Sequence, residues 1–125
     1  MFGSIVVGTD GSDTANEAVR QAVELAKSVG AELLVVSAFA TTTDDVAPLL
    51  AAAAATAQEA GVPVQALPRP GDPADAILDV AEERDADLIV VGNKGTSGAK
   101  RFLLGSVPNR VSHHAPCSVL IIRTS

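Results

Sequence analysis

The chain has 125 residues, the size of one domain, and 47% of them are hydrophobic with three Phe and no Tyr or Trp, so a core of Val, Ile, Leu and Ala is expected without a staple. The single cysteine, Cys117, excludes an internal disulfide and suits a reducing compartment; no basic, apolar, small-residue leader follows Met1, so a cytoplasmic location is expected. The net charge of −6 argues against general nucleic-acid binding, and no apolar stretch approaches the length of a membrane span without polar interruption.

Ser4 to Gly8 (SIVVG) is short, β-branched and apolar on both faces, the pattern of a buried parallel strand. The spacing of Ala15, Ala18, Val19, Ala22, Val23 and Ala26 predicts a helix that starts in the turn-prone Asp10 to Thr14 and stops at Gly30, with Thr14 and Glu17 at capping-box spacing. Glu32 to Ser37 is a second strand. Asp45 to Ala60 is a second helix, its alanine run Ala51 to Ala55 laid on the sheet and Pro48 tolerated only near its start. Val62 to Leu67 is a weaker strand that Pro63 pushes to an edge. Asp72 as N-cap and Pro73 at the first helical position open a third helix, with Ile77, Leu78 and Ala81 facing inward. Asp87 to Gly92 and Ser118 to Ile122 are further buried strands, and between them Ser106 to His114 is a short helix closed by Pro116. This alternation predicts one α/β domain over residues 1–125, a doubly wound, Rossmann-like sheet with helices on both faces and right-handed crossovers.

Charge is distributed unevenly. All 15 Asp and Glu lie at or before Asp87, where only four Lys and Arg accompany them; Lys94, Lys100, Arg101, Arg110 and Arg123 make the remainder a local anion attractor. In that basic third, Gly92-Asn93-Lys94-Gly95, nine further residues and Gly105-Ser106 leave a buried strand and open a helix. Ligands of such sheets bind outside the carboxyl ends of the strands. Glycines there admit a phosphate close to the backbone, and the uncapped N–H groups and dipole at the helix start favour an anion. Ser106 can add a hydroxyl, and Lys94, Lys100 and Arg101 add charge. The segment lacks the Gly-Lys-Ser/Thr of a Walker A loop and does not open the first helix, as a dinucleotide fingerprint would.

Other chemistry-bearing residues read as structural. His113 and His114 suit the last turn of a helix and have no partners spaced for a metal. Cys117 leads into a strand and is expected in the core; Asp72, Asp75 and Asp79 read as a cap and a solvated face.

Thr9-Asp10-Gly11-Ser12, the glycine pattern from Gly92 to Ser106, and the closing Ala115-Pro116-Cys117-x-Val119-Leu120-Ile121-Ile122 together resemble the universal stress protein family over essentially the whole chain. The resemblance implies a five-stranded parallel sheet in the order 3-2-1-4-5 with ATP or a related adenine nucleotide over strands one and four. Thr9 and Asp10 would contact the ribose and base side, Ala38 the adenine through its backbone, and Val91 the base. Gly92, Lys94, Gly95, Gly105, Ser106 and Val107 would hold ribose and phosphates, and Asp10 could reach Mg through phosphate. No residue is assigned a catalytic role or direct metal ligation. Pro108 departs from the small hydroxyl residue of many nucleotide-binding members; Gly-Ser-Val-Pro is similar to a mycobacterial-type branch associated with cyclic AMP, so AMP or cyclic AMP stands beside ATP. The link from the second strand to the second helix is also short. The expected function is a nucleotide-dependent stress-response or signalling module, a homodimer paired through Ser118 to Ile122. The alternatives are a slow ATPase, for which no water-positioning residue is evident, and a ligand-free interaction protein.

Overall fold

A computed structural model describes residues 2–93 and 105–123. Strands β1 (Ser4–Gly8), β2 (Glu32–Phe39), β3 (Val64–Pro70), β4 (Leu88–Gly92) and β5 (Ser118–Ile122) alternate with helices α1 (Asp13–Val29), α2 (Ala47–Glu59), α3 (Pro73–Glu83) and α4 (Ser106–His114). All strand pairs are parallel and the order is β3-β2-β1-β4-β5, as expected. In register, Val6 lies between Leu34 and Ile89. Successive residues of the three central strands serve opposite layers: Ile5, Val7, Leu33, Val35, Leu88 and Val90 pack with α1 and α2, whereas Val6, Leu34, Val36, Ile89 and Val91 pack with α3 and α4. Burial on both faces explains why these strands are continuous runs of branched aliphatic residues. Among the described residues, no helix is long and apolar enough to cross a membrane.

Several local expectations are corrected. The cap of α1 is Ser12, whose Oγ accepts the Ala15 N–H at 3.2 Å. Thr14 is buried inside the first turn and Glu17 turns outward to Arg20 and Gln21, so no capping box forms on Thr14. A 3-10 turn at Thr43–Asp45, capped by Thr42, precedes α2, which therefore starts at Ala47 and carries Pro48 in its first turn. The buried stripe of α2 is Leu50, Ala53 and Ala57, which leaves Ala51, Ala52 and Ala55 exposed instead of laid on the sheet. The third strand starts two residues later than expected and runs on through Pro68 to Pro70; its edge position spares the missing donors, while the Pro63 carbonyl accepts the Leu33 N–H at 2.8 Å. Cys117 is only half-buried, and burial together with the nearby Asp87 charge raises its thiol pKa. On β5 only Ile122 is fully buried, because this edge strand borders a single neighbouring strand.

Asp87 stands just before β4 and ties two strand starts together. Its Oδ2 accepts the N–H groups of Gly3 at 2.7 Å and Ser4 at 3.2 Å, which lowers its pKa below the usual carboxylate value.

Candidate functional site

Strand order reverses at β1: the chain leaves β1 toward β2 and β3, and leaves β4 toward β5 on the other side. The divergence opens a cleft at the carboxyl ends of the strands, the place where doubly wound sheets take ligands. Gly8 and Thr9 of β1 and its exit form the floor with Val91 and Gly92 of β4, and Asp10 stands exposed at the rim. Val36 and Ala38 of β2, together with Ala15 of α1, form one side; Pro73 and Ile77 of α3 face Val107 and Pro108 of α4 across the other.

The two strand-terminal glycines allow this closeness. A Cβ on Gly8 would stand 2.4 Å from Ile77 Cδ1, and one on Gly92 would stand 2.6 Å from Thr14 Cγ2. Gly8 thus lets α3 press Ile77 onto the end of β1, and Gly92 lets the first turn of α1 sit against β4.

The loop after β1 is a self-bonded turn. The Thr9 N–H extends the ladder to the Val36 carbonyl at 2.9 Å, and its own carbonyl accepts the Ser37 hydroxyl at 2.7 Å. Thr9 Oγ1 accepts the Gly11 N–H at 3.2 Å, and Asp10 Oδ1 accepts the Ser12 N–H at 2.9 Å. Asp10 is exposed at the cleft and Thr9 is buried beneath it, so the first presents its carboxylate while the second fixes the backbone.

Asn93 joins β4 to α4. Its N–H donates to the Ile122 carbonyl at 2.9 Å, continuing the ladder with β5, and its carbonyl accepts the Gly105 N–H at 2.9 Å. Asn93 is buried and holds Gly105 beside the strand end. From there α4 starts in an unusual state. Its cap, Gly105, has extended backbone at φ −62° and ψ 166°, offers no side-chain acceptor, and is followed by no acidic residue in the first turn. The Asn109 N–H returns to the Gly105 carbonyl at 3.0 Å and Pro108 has no N–H, so the first turn holds two backbone donors without intrahelical acceptors, Ser106 and Val107. By contrast, α1 is capped by Ser12 with Asp13 behind it, and α3 by Asp72 with Asp75. Like α4, α2 starts without a side-chain cap or a first-turn acid, but of the two only α4 contributes residues to the cleft, so the open positive end beside the cleft is that of α4.

Of the residues expected at the site, Thr9, Asp10, Ala38, Val91, Gly92 and Val107 line the cleft. Gly105 and Ser106 form the cap and first position of α4 next to Val107, while Lys94 and Gly95 lie outside the described residues, as do Lys100 and Arg101. Sequence reasoning missed Gly8, Ala15, Val36 and Ile77 as lining residues, and took Pro73 only as a helix opener. Gly8 had a signal, since it ends its strand as Gly92 ends the fourth. Pro108, read as a departure near the phosphates, is a buried part of the wall. Arg110 does not stand free to attract anions: it reaches Asp72 at 3.1 Å and Asp75 at 2.7 Å on α3. His113 Nδ1 meets the Asn109 carbonyl at 2.8 Å at the far end of α4, and no group of three metal-binding side chains occurs among the described residues.

A model of the universal stress protein family matches residues 1–123. Universal stress protein Rv1636 of Mycobacterium tuberculosis is 37% identical over 99% of this chain and 98% of its own length. A solved universal stress protein in complex with cAMP superposes with a TM-score of 0.88 at 38% identity, covering 99% of this chain and 98% of that one. The universal stress protein from Archaeoglobus fulgidus in complex with dAMP superposes with a TM-score of 0.79 at 30% identity, covering 97% and 98%. With its strand order, its cleft at the β1/β4 switch point and these full-length matches, the chain belongs to the universal stress protein family.

Proposed function

We propose that the cleft binds an adenine nucleotide, the base between the apolar side chains of Val36, Ala38, Ile77 and Val91 and the phosphate against the start of α4. The observation that carries this reading is the pairing of an apolar cleft with an uncapped helix end beside it. An apolar slot suits a planar base, and two N–H groups without an acceptor among the described residues, at a positive dipole end, suit a phosphate. Asp10, exposed at the rim, is suited to a ribose hydroxyl or, with a longer phosphate chain, to Mg²⁺ held through that chain. Two relatives in complex with cAMP and dAMP, each carrying one phosphate, support the class of ligand. Pro108 withholds the third backbone donor that α4 would otherwise offer, so AMP or cyclic AMP is favoured over ATP.

The nucleotide acts as a signal in a homodimer. The two sheet edges differ: β3 carries Pro68 and Pro70, whereas β5 has no proline and exposes Leu120 at 39%. An unblunted apolar edge is a template for pairing, and two-fold pairing of β5 with a second copy closes it. Sedimentation of the wild type is expected to give a dimer at micromolar concentration and Leu120→Arg a monomer; a wild-type monomer contradicts the assembly.

Calorimetric titration with ATP, AMP and cyclic AMP, with and without Mg²⁺, tests the ligand. Wild type is expected to bind AMP or cyclic AMP in the micromolar range and more tightly than ATP. Ala38→Trp, which fills the slot, is expected to lose at least tenfold. Absence of binding below millimolar, or unchanged binding by Ala38→Trp, overturns the reading.

A further inference from the structure

Two carboxylates stand at the rim of the cleft. Asp72 immediately precedes Pro73, a lining residue, and Asp75 lies on the same first turn of α3. Both are about half exposed, and both would repel an anionic ligand entering between α3 and α4. Arg110, one turn beyond Val107 and Pro108 on α4, meets both: Nη1 reaches Asp72 Oδ2 at 3.1 Å and Nη2 reaches Asp75 Oδ1 at 2.7 Å. The same Asp72 Oδ2 accepts the Asp75 N–H at 3.1 Å as the helix cap, so this carboxylate is fixed in place whether or not Arg110 is there. Side chains on a helix lean toward its N-terminus, which is how a residue in the second turn of α4 comes to lie against the start of α3. Of the cations in the described residues, Arg69 and Arg84 attach to Glu83 and Gln65 near the other end of α3, so neither offsets this pair.

We infer that Arg110 tunes the cleft's preference for charged ligands: by offsetting one of the two negative charges of Asp72 and Asp75 at the rim, it weakens a repulsion that would otherwise disfavour the nucleotide relative to the uncharged nucleoside. The inference rests on the adenine-nucleotide reading. It treats Arg110 as a positioning and specificity residue that acts through two carboxylates, not as a phosphate ligand. As an energetic tether such exposed pairs are weak, so the main consequence of losing Arg110 is electrostatic.

The test compares AMP with adenosine, which share the base and ribose and differ by the phosphate charge. In Arg110→Ala, AMP affinity is expected to fall about fivefold at low ionic strength while adenosine stays within twofold, and the AMP loss is expected to shrink as salt rises above 0.1 M. Arg110→Lys, which keeps the charge without the fork, is expected to retain most of the AMP preference. The triple variant Arg110→Ala, Asp72→Asn, Asp75→Asn is expected to restore it, since Asn caps a helix as well as Asp. Should Arg110→Ala fold poorly, Asp72→Asn with Asp75→Asn in the Arg110 background is expected to raise AMP affinity at least twofold and leave adenosine unchanged. Equal losses for AMP and adenosine, or a loss independent of salt, overturn the inference while leaving the nucleotide site standing. If the wild type binds neither compound, the nucleotide reading falls and this inference falls with it.

Discussion

The N-termini of α1 and α4 both reach the carboxyl edge of the central strands, and the chain closes one while leaving the other open. At α1, Asp10 and Ser12 consume donors in successive turns and Asp13 adds negative charge to the positive end of the dipole. At α4, a glycine cap, no first-turn acid and a proline at the third position leave two donors with no acceptor among the described residues. The same backbone physics therefore makes α1 a structural start and α4 an anion site, and the difference lies in a handful of side chains. A third start, that of α3, is capped like α1, and its acids are offset by Arg110 from α4.

The largest expected effect comes from giving α4 the chemistry of α1. Gly105→Asp places a capping carboxylate at backbone angles that suit a cap, so stability is expected to hold within about 0.5 kcal/mol while AMP or cyclic AMP affinity falls 30-fold or more in calorimetry. Next is Ser106→Pro. Proline is favoured at the first helical position and follows the extended Gly105 without strain, yet it removes one of the two donors, so about tenfold loss of nucleotide affinity with unchanged thermal stability is expected. The reciprocal change at the closed end, Ser12→Ala, is expected to cost about 1 kcal/mol in denaturant unfolding and to leave nucleotide affinity within twofold. Pro108→Ala restores a third N–H and is expected to raise ATP affinity relative to AMP by about threefold.

The smallest effect concerns pH. The folded pKa of Asp87 is lowered by the Gly3 and Ser4 N–H groups, so its contribution is present above the unfolded carboxylate value and lost as pH falls through the folded one. Asp87→Asn is expected to flatten the acid limb of a stability-versus-pH curve below about pH 4 and to leave nucleotide affinity alone.

Much of this arrangement was legible from residues alone. The branched aliphatic runs marked all four strong strands, and Asp72-Pro73 marked the start of α3, because burial on both faces and cap chemistry are local in sequence. The resemblance supplied the strand order, which the topology bears out, and named Thr9, Asp10, Ala38, Val91, Gly92 and Val107, which line the cleft. What was not legible depends on neighbours far along the chain. Ile77 belongs to the cleft because Gly8 lets it approach, and Arg110 is paired because α3 and α4 pack side by side. The competition between Ser12 and Thr14 for the α1 cap was decided by the turn at Asp10, and the exposure of Ala51, Ala52 and Ala55 by the narrow stripe of α2 that meets the sheet.

The most direct test of the difference between α1 and α4 is a pair of amide chemical-shift titrations of the wild type, one with AMP and one with adenosine. The expected result is that both ligands shift the amides of Ala38 and Val91 along the apolar slot, while only AMP shifts Ser106 and Val107. Phosphate-dependent shifts concentrated at Asp13 and Thr14, or no phosphate-dependent shift at Ser106 and Val107, would contradict it.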